Sequence, residues 1–224
     1  MTPDQPPVAH RQVRFQRPPD ACEIVLVRHG ESQPAVEGAS FPLVDGHGDP
    51  ELDPVGHAQA VLVADALDRE PIAAIYVTTL RRTAQTAAPL AARLAIDPQV
   101  ERDLREVHLG EWEGGVFRKH VAEGHELALR MFEEQRWDVI PGAEPAEVFA
   151  ARVRAGLERI AAAHPDQRVV AVVHGGVIGE AMVLASGASR GFAFSGADNG
   201  SITRLVIGPR GWIIRSFNET SHLD

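Results

Sequence analysis

The chain has 224 residues, 44% of them hydrophobic and 24% charged, enough to bury one substantial core and within the usual span of a single domain. Its 22 Lys and Arg stand against 31 Asp and Glu, a net charge of −9 with no long basic run, which argues against a nucleic-acid partner. A single cysteine, Cys22, excludes an internal disulfide and a paired-thiolate metal site, and fits a small residue leading into a buried strand in a reducing compartment.

Met1 to Asp20 carries five prolines and three arginines and lacks the uninterrupted apolar stretch that an export signal or membrane span requires. Residues 1–20 are therefore expected to form a mobile or loosely docked arm on a cytoplasmic protein. Glu23 to Val27 (EIVLV) is short, β-branched and nearly continuous in apolar character, as a strand buried on both faces would be. The Gly-, Pro- and Asp-containing stretch from Gln33 to Pro50 reads as an irregular loop. Asp53 and Pro54 then open a helix running to about Asp68, Ala73 to Val77 predicts a second buried strand, and Leu80 to Leu94 a second helix.

From about Gly114 to Pro141 the sequence is helical in character, with Phe117, Phe132 and Trp137 among Arg118, Lys119, Arg130 and Arg136, and is expected to form a lid. Pro145 to Ala163 predicts a further helix and Arg168 to Val173 a third buried strand. Ser201 to Ile207 and Trp212 to Phe217 are expected at the sheet edges. The alternation predicts one α/β domain over residues 21–224, a three-layer α/β/α sandwich with a largely parallel central sheet.

Ligands of open α/β sheets bind beyond the carboxyl ends of the strands. Two strands end there in His-Gly: Val27-Arg28-His29-Gly30-Glu31-Ser32 and Val173-His174-Gly175-Gly176. The second strand ends in Thr78-Thr79, followed by Leu80-Arg81-Arg82, which brings an arginine to the same edge. A localised cationic pocket in an acidic protein favours a compact anion, and guanidinium groups match phosphate oxygens bidentately. Of two imidazoles, a neutral one can attack phosphorus while a protonated one holds a charged oxygen.

The segment Leu26-Val27-Arg28-His29-Gly30-Glu31-Ser32 resembles the signature of the histidine phosphatase superfamily, which includes phosphoglycerate mutases and acid phosphatases. Leu80 to Ala87, Leu104-Arg105-Glu106 with Gly110 to Gly114, Val172 to Gly176 and Asn199 to Ile202 resemble four further segments of that family in order. The resemblance spans roughly residues 23–220. It implies a phosphoglycerate mutase-like fold and a metal-independent phosphatase acting on a small phosphorylated substrate without a cofactor. His29 would be the nucleophile that becomes phosphorylated, Arg28, Arg82 and His174 would hold the phosphoryl oxygens with Gly175 and Ser32 beside them, and Glu106 would donate and accept the proton. Register selects Arg82 over Arg81 and Glu106 over Glu111 and Glu113.

Two departures bear on the activity. Ala35 stands where the family often has an asparagine near the phosphate, and Met131 to Trp137 lacks the Arg-Arg pair of phosphoglycerate mutases and carries acidic residues instead. A phosphatase is therefore preferred to a mutase, the first rival; the second is a catalytically weak module that binds a phosphorylated ligand or protein. His47 with His57, and His120 with His125, lack a supporting carboxylate or thiolate at a metal-ligand spacing and are read as solvated residues. No Gly-Lys-Ser/Thr phosphate loop occurs. A homodimer is the expected assembly by frequency alone.

Overall fold

A computed structural model describes residues 10–224; the first nine positions of the proline-rich arm lie outside the described residues. The elements in chain order are β1 (Cys22–Arg28), β2 (Leu43–Val44), β3 (His47–Gly48), α1 (Pro54–Leu67), β4 (Ile72–Val77), α2 (Arg81–Leu94), β5 (Gln99–Val100), α3 (Val116–Glu123), α4 (Glu126–Glu134), α5 (Ala146–Ala163), β6 (Arg168–Val173), α6 (Gly175–Ser186), β7 (Ile202–Gly208) and β8 (Gly211–Glu219). Short 3-10 turns at Arg102–Leu104, Gly110–Gly115 and Trp137–Val139 complete the set.

Six strands form one sheet in the order β5-β4-β6-β1-β7-β8. The first four run parallel, and β7 and β8 pair antiparallel. Alternate residues of each central strand feed opposite layers. On one face Ile24, Leu26, Val169, Ala171 and Leu205 pack with Phe149, Val153 and Leu157 of α5 and Ile178, Ala181 and Met182 of α6. On the other, Val25, Val27, Ile75, Val170 and Val172 pack with Val63, Ala64 and Leu67 of α1 and Ala87 and Leu90 of α2. This is the expected three-layer sandwich, and burial on both faces is why the strands read as continuous apolar runs.

Two details depart from the sequence reading. The run beginning at Ser201 is not an edge strand: β7 lies between β1 and β8, in register with β1 from Ile202↔Val27 to Ile207↔Cys22. The Gln33–Pro50 excursion is not wholly irregular, because Leu43–Val44 and His47–Gly48 pair as a hairpin whose turn places Asp45 and Gly46 at positive φ.

Local signals explain the helix starts. Asp53 caps α1, its Oδ1 accepting from Gly56 N at 2.7 Å, with Pro54 at the first helical position. α2 has no side-chain cap of its own; Asp49 from the hairpin supplies one from outside, accepting from Arg81 N at 2.8 Å. Between Gly114 and Pro141, α3 and α4 enclose a small separate core of Trp112, Ala128, Met131, Val139 and Ile140. Of the arm, Arg17 donates to the backbone carbonyls of Asp166 and Gln167, and Phe15 lies under the Arg215 guanidinium. Among the described residues, no helix is long and apolar enough to cross a membrane.

Candidate active site

The carboxyl ends of β1, β4 and β6 converge on one pocket. His29 N donates to the Val173 carbonyl at 3.0 Å, which ties the two strand-end histidines together, and their rings meet edge to face with centroids 5.2 Å apart. The turn after His29 sits against the start of α1: a Cβ on Gly30 would lie 2.4 Å from Gly56 O, and one on Gly56 would lie 1.9 Å from Glu31 O. Both positions therefore require glycine for close backbone approach. Thr86 receives Gly30 N at 3.0 Å, and Asn199 Nδ2 donates to the His29 carbonyl at 2.9 Å.

The His29 ring is oriented from both sides. Its Nδ1 lies 2.7 Å from the Gly30 carbonyl, an acceptor only, so the proton sits on Nδ1 and the lone pair on Nε2. Arg82 Nε donates to that Nε2 at 3.2 Å, while Arg82 Nη1 donates to Gly48 O at 2.9 Å. Burial, then Arg82 and Arg28, hold the His29 pKa well below its ordinary value, so the ring is neutral. Burial brings the Arg82 guanidinium down to about 10, which leaves it a cation at neutral pH.

His174 is fully buried, with Nε2 3.0 Å from Thr78 Oγ1 and no partner for Nδ1 among the described residues. The sequence reading gave this ring a positive charge. In the pocket as it stands, burial first and Arg82 second hold its pKa well below the ordinary value, so it is neutral. A phosphate dianion supplies the counter-charge that reverses this balance. Arg28 donates to the Ala197 carbonyl and leaves its buried Nε without a partner among the described residues.

Glu106 reaches the pocket from the segment after the Arg102–Leu104 turn. Its Oε1 accepts from Val107 N at 3.0 Å and its Oε2 from Gly176 N at 3.2 Å, in the first turn of α6. A Cβ on Gly176 would stand 2.5 Å from Glu106 Oε1 and displace the carboxylate, whereas one on Gly175 would only touch Arg28, so it is Gly176 that leaves room for the Glu106 carboxylate.

The pocket thus brings together Arg28, His29, Arg82, Glu106 and His174. Ser32 stands beside it, its Oγ accepting from Arg118 at 2.7 Å. Arg81 is turned away and engaged by Asp49 at 2.7 Å and Glu51 at 2.9 Å. Glu113 accepts from Leu109 N and Gly48 N, while Glu111 is exposed. The sequence reading left Arg118 as a lid residue; it lies at the pocket mouth with Nη1 on the Gln33 carbonyl, and burial and Arg28 lower its pKa. His47 also lines the pocket, while His120 and His125 stack 4.3 Å apart against Trp112. Among the described residues, no group of three or more His, Cys, Asp or Glu is placed to hold a metal ion.

Two cavities meet at Arg28, His29, Gly114, Gly115 and Arg118. The outer, about 770 Å³, extends along residues 34–40 and α3; the inner, about 310 Å³, holds Arg82, Glu106 and a wall of aromatic side chains.

Residues 24–220 match the family model of the histidine phosphatase superfamily (branch 1), and the chain belongs to that family. It is a phosphatase of this family, a phosphoric monoester hydrolase. Over 209 residues it is 34% identical to phosphoglycerate mutase-like protein 4 of Arabidopsis thaliana, covering 92% of this chain and 88% of the other. Metal-independent phosphoserine phosphatase of the same plant is 32% identical over 209 residues, 91% and 84% of the two chains. Glucosyl-3-phosphoglycerate phosphatase of Mycobacterium tuberculosis is 31% identical over 195 residues, 83% and 85% of the two chains. A solved structure of the mycobacterial glucosyl-3-phosphoglycerate phosphatase superposes with a TM-score of 0.74 at 28% identity, covering 88% of this chain and 99% of that one.

Proposed function

We propose that the protein hydrolyses a small phosphomonoester in two in-line steps through a phosphohistidine on His29, with no metal or organic cofactor. The His29 Nε2 lone pair attacks phosphorus, and the ester P–O bond breaks with its electrons passing to the leaving oxygen. Glu106 protonates that oxygen and the alcohol departs. Glu106 then takes a proton from water, whose oxygen attacks phosphorus; the P–N bond breaks and its electron pair returns to Nε2, releasing phosphate. Arg28, Arg82 and His174 neutralise the oxygens in flight, and the α6 N-terminus adds its partial positive charge.

The observation that carries this reading is the His29 ring: neutral, fixed in one tautomer by the Gly30 carbonyl, with its lone pair facing a guanidinium. The acidic lid supports a phosphatase rather than a mutase, since Arg130 and Arg136 are engaged by Glu134 and Asp138 and are not free to grip a substrate carboxylate. The helices between residues 114 and 141 serve as the lid over this pocket. The arm, the cytoplasmic location, the homodimer and the lack of a nucleic-acid partner stay part of the proposal, the last supported by the net charge of −9.

The test is phosphate release from an aryl phosphate from acidic to neutral pH, with chelator present. Turnover that is lost in His29→Ala supports the reading; turnover that survives the substitution refutes it.

A further inference from the structure

In-line displacement puts the leaving oxygen opposite His29, beside the acid. Glu106 and Arg82 both line the inner cavity, whereas the outer cavity reaches His29 but neither of them. The departing alcohol therefore occupies the inner cavity, and the wall of that cavity decides which alcohol fits.

That wall presents ring faces and an acceptor. Phe117 and Trp137 lie 6.0 Å apart at 55°, flanked by Phe41 and Leu109. Beyond Arg28, His29, Arg82 and Glu106, which face the phosphoryl group, its ionisable side chains are Glu113, Arg118 and His47. Glu113 is engaged by the amides of Gly48 and Leu109, and Arg118 by Ser32 and the Gln33 carbonyl. His47 remains. It is 7% exposed, its Nδ1 stands 3.2 Å from the Asp45 carbonyl and so carries the proton, and its buried Nε2 has no partner among the described residues. Burial lowers its pKa, which keeps Nε2 an acceptor. A buried acceptor without a donor is costly, and a ligand hydroxyl would satisfy it.

Resting on the phosphatase reading above, we propose that the inner cavity selects a phosphorylated ring alcohol, a sugar or cyclitol phosphate. Its C–H face lies on Phe117 and Trp137, and a ring hydroxyl donates to His47 Nε2. A leaving group without a ring face forgoes the contact with Phe117 and Trp137, and a carboxylate finds no donor at His47 Nε2, which can only accept.

The experiment compares kcat/KM for glucose 6-phosphate, glycerol 3-phosphate, phosphoserine and phenyl phosphate in the wild type, His47→Leu and Phe117→Leu. The wild type is expected to prefer the hexose ester to glycerol 3-phosphate and phosphoserine. In His47→Leu the loss on the hexose ester should exceed that on phenyl phosphate, which has no hydroxyl, by about tenfold. In Phe117→Leu both ring esters should lose more than glycerol 3-phosphate, and this variant decides the matter alone if His47→Leu does not fold. Equal losses on all esters, or a wild-type preference for glycerol 3-phosphate or phosphoserine, would overturn the proposal while leaving the phosphatase reading intact. No turnover of any ester would remove both.

Discussion

Arg82 Nε donates to His29 Nε2 at 3.2 Å, so the lone pair of the proposed nucleophile and the cation that would receive a phosphoryl oxygen are already face to face. The guanidinium is fixed by Gly48 O on its other side and buried with only 7% exposure. After burial, which is the larger cause, it keeps His29 unprotonated, and it holds the ring in the orientation the proposed attack requires. Arg82→Lys keeps a charge but loses the planar fork. It is expected to lower kcat/KM by about 10²-fold, and Arg82→Ala by about 10³-fold, with His29 in the alanine variant titrating closer to its ordinary value by NMR.

Both pocket histidines have folded-state pKa values far below 6.5. Below pH 6.5 the unfolded chain binds protons that the native state does not, so stability is complete above that value and falls as pH drops through it. The slope approaches about 1.4 kcal/mol per pH unit for each ring. Urea melts from pH 7.5 to 5.0 check this: a His29→Asn or His174→Asn variant should show a shallower decline than the wild type. Vanadate should protect most strongly at the acidic end, because a bound oxyanion favours protonated His174.

If Glu106 acts on the leaving oxygen, as proposed, its removal should matter in proportion to how poor that leaving group is. Glu106→Gln keeps on its carbonyl oxygen one of the two backbone N–H contacts that the carboxylate accepts, sets its NH2 against the other, and cannot donate a carboxylic proton. Its kcat should fall by about 10²–10³-fold on an alkyl phosphate and by about tenfold or less on p-nitrophenyl phosphate. Equal losses on both esters would remove Glu106 from the role of acid.

The contact between α1 and the phosphate turn is testable by one methyl group. Gly56→Ala places a Cβ 1.9 Å from the Glu31 carbonyl carbon's oxygen, and backbone on both sides resists movement. A loss of about 2–3 kcal/mol in stability is expected, by the usual cost of overpacking. Activity should fall with it, because the displaced turn carries His29.

Much of this site was legible in the sequence because its parts are local. Arg28-His29-Gly30 and His174-Gly175-Gly176 each follow an apolar run whose burial on both faces leaves an unmistakable pattern, and the strand ends fix where the imidazoles go. What was not legible is assembled over distance. β7 carries no mark of its neighbours, so its place inside the sheet follows only from pairing with β1. The hairpin has two residues per strand, too few for periodicity, yet it brings Gly48 to Arg82 and Asp49 to Arg81 across more than thirty positions. Arg118 reaches Ser32 across 86 positions, and His47 enters the pocket from a loop composed like any other. The neutral state of His174 likewise depends on complete burial beside Arg82, which no motif records.

The central claim is that the phosphoryl group passes through His29. Acid-labile, alkali-stable phosphate is the signature of a phosphohistidine, and Glu106→Gln should slow its hydrolysis enough for capture. The Glu106→Gln protein, mixed with p-nitrophenyl phosphate and quenched in alkali, should yield a single phosphorylated peptide containing Arg28-His29-Gly30, absent from a His29→Ala, Glu106→Gln double variant. Phosphate found on any other residue, or captured equally in the double variant, would contradict the account.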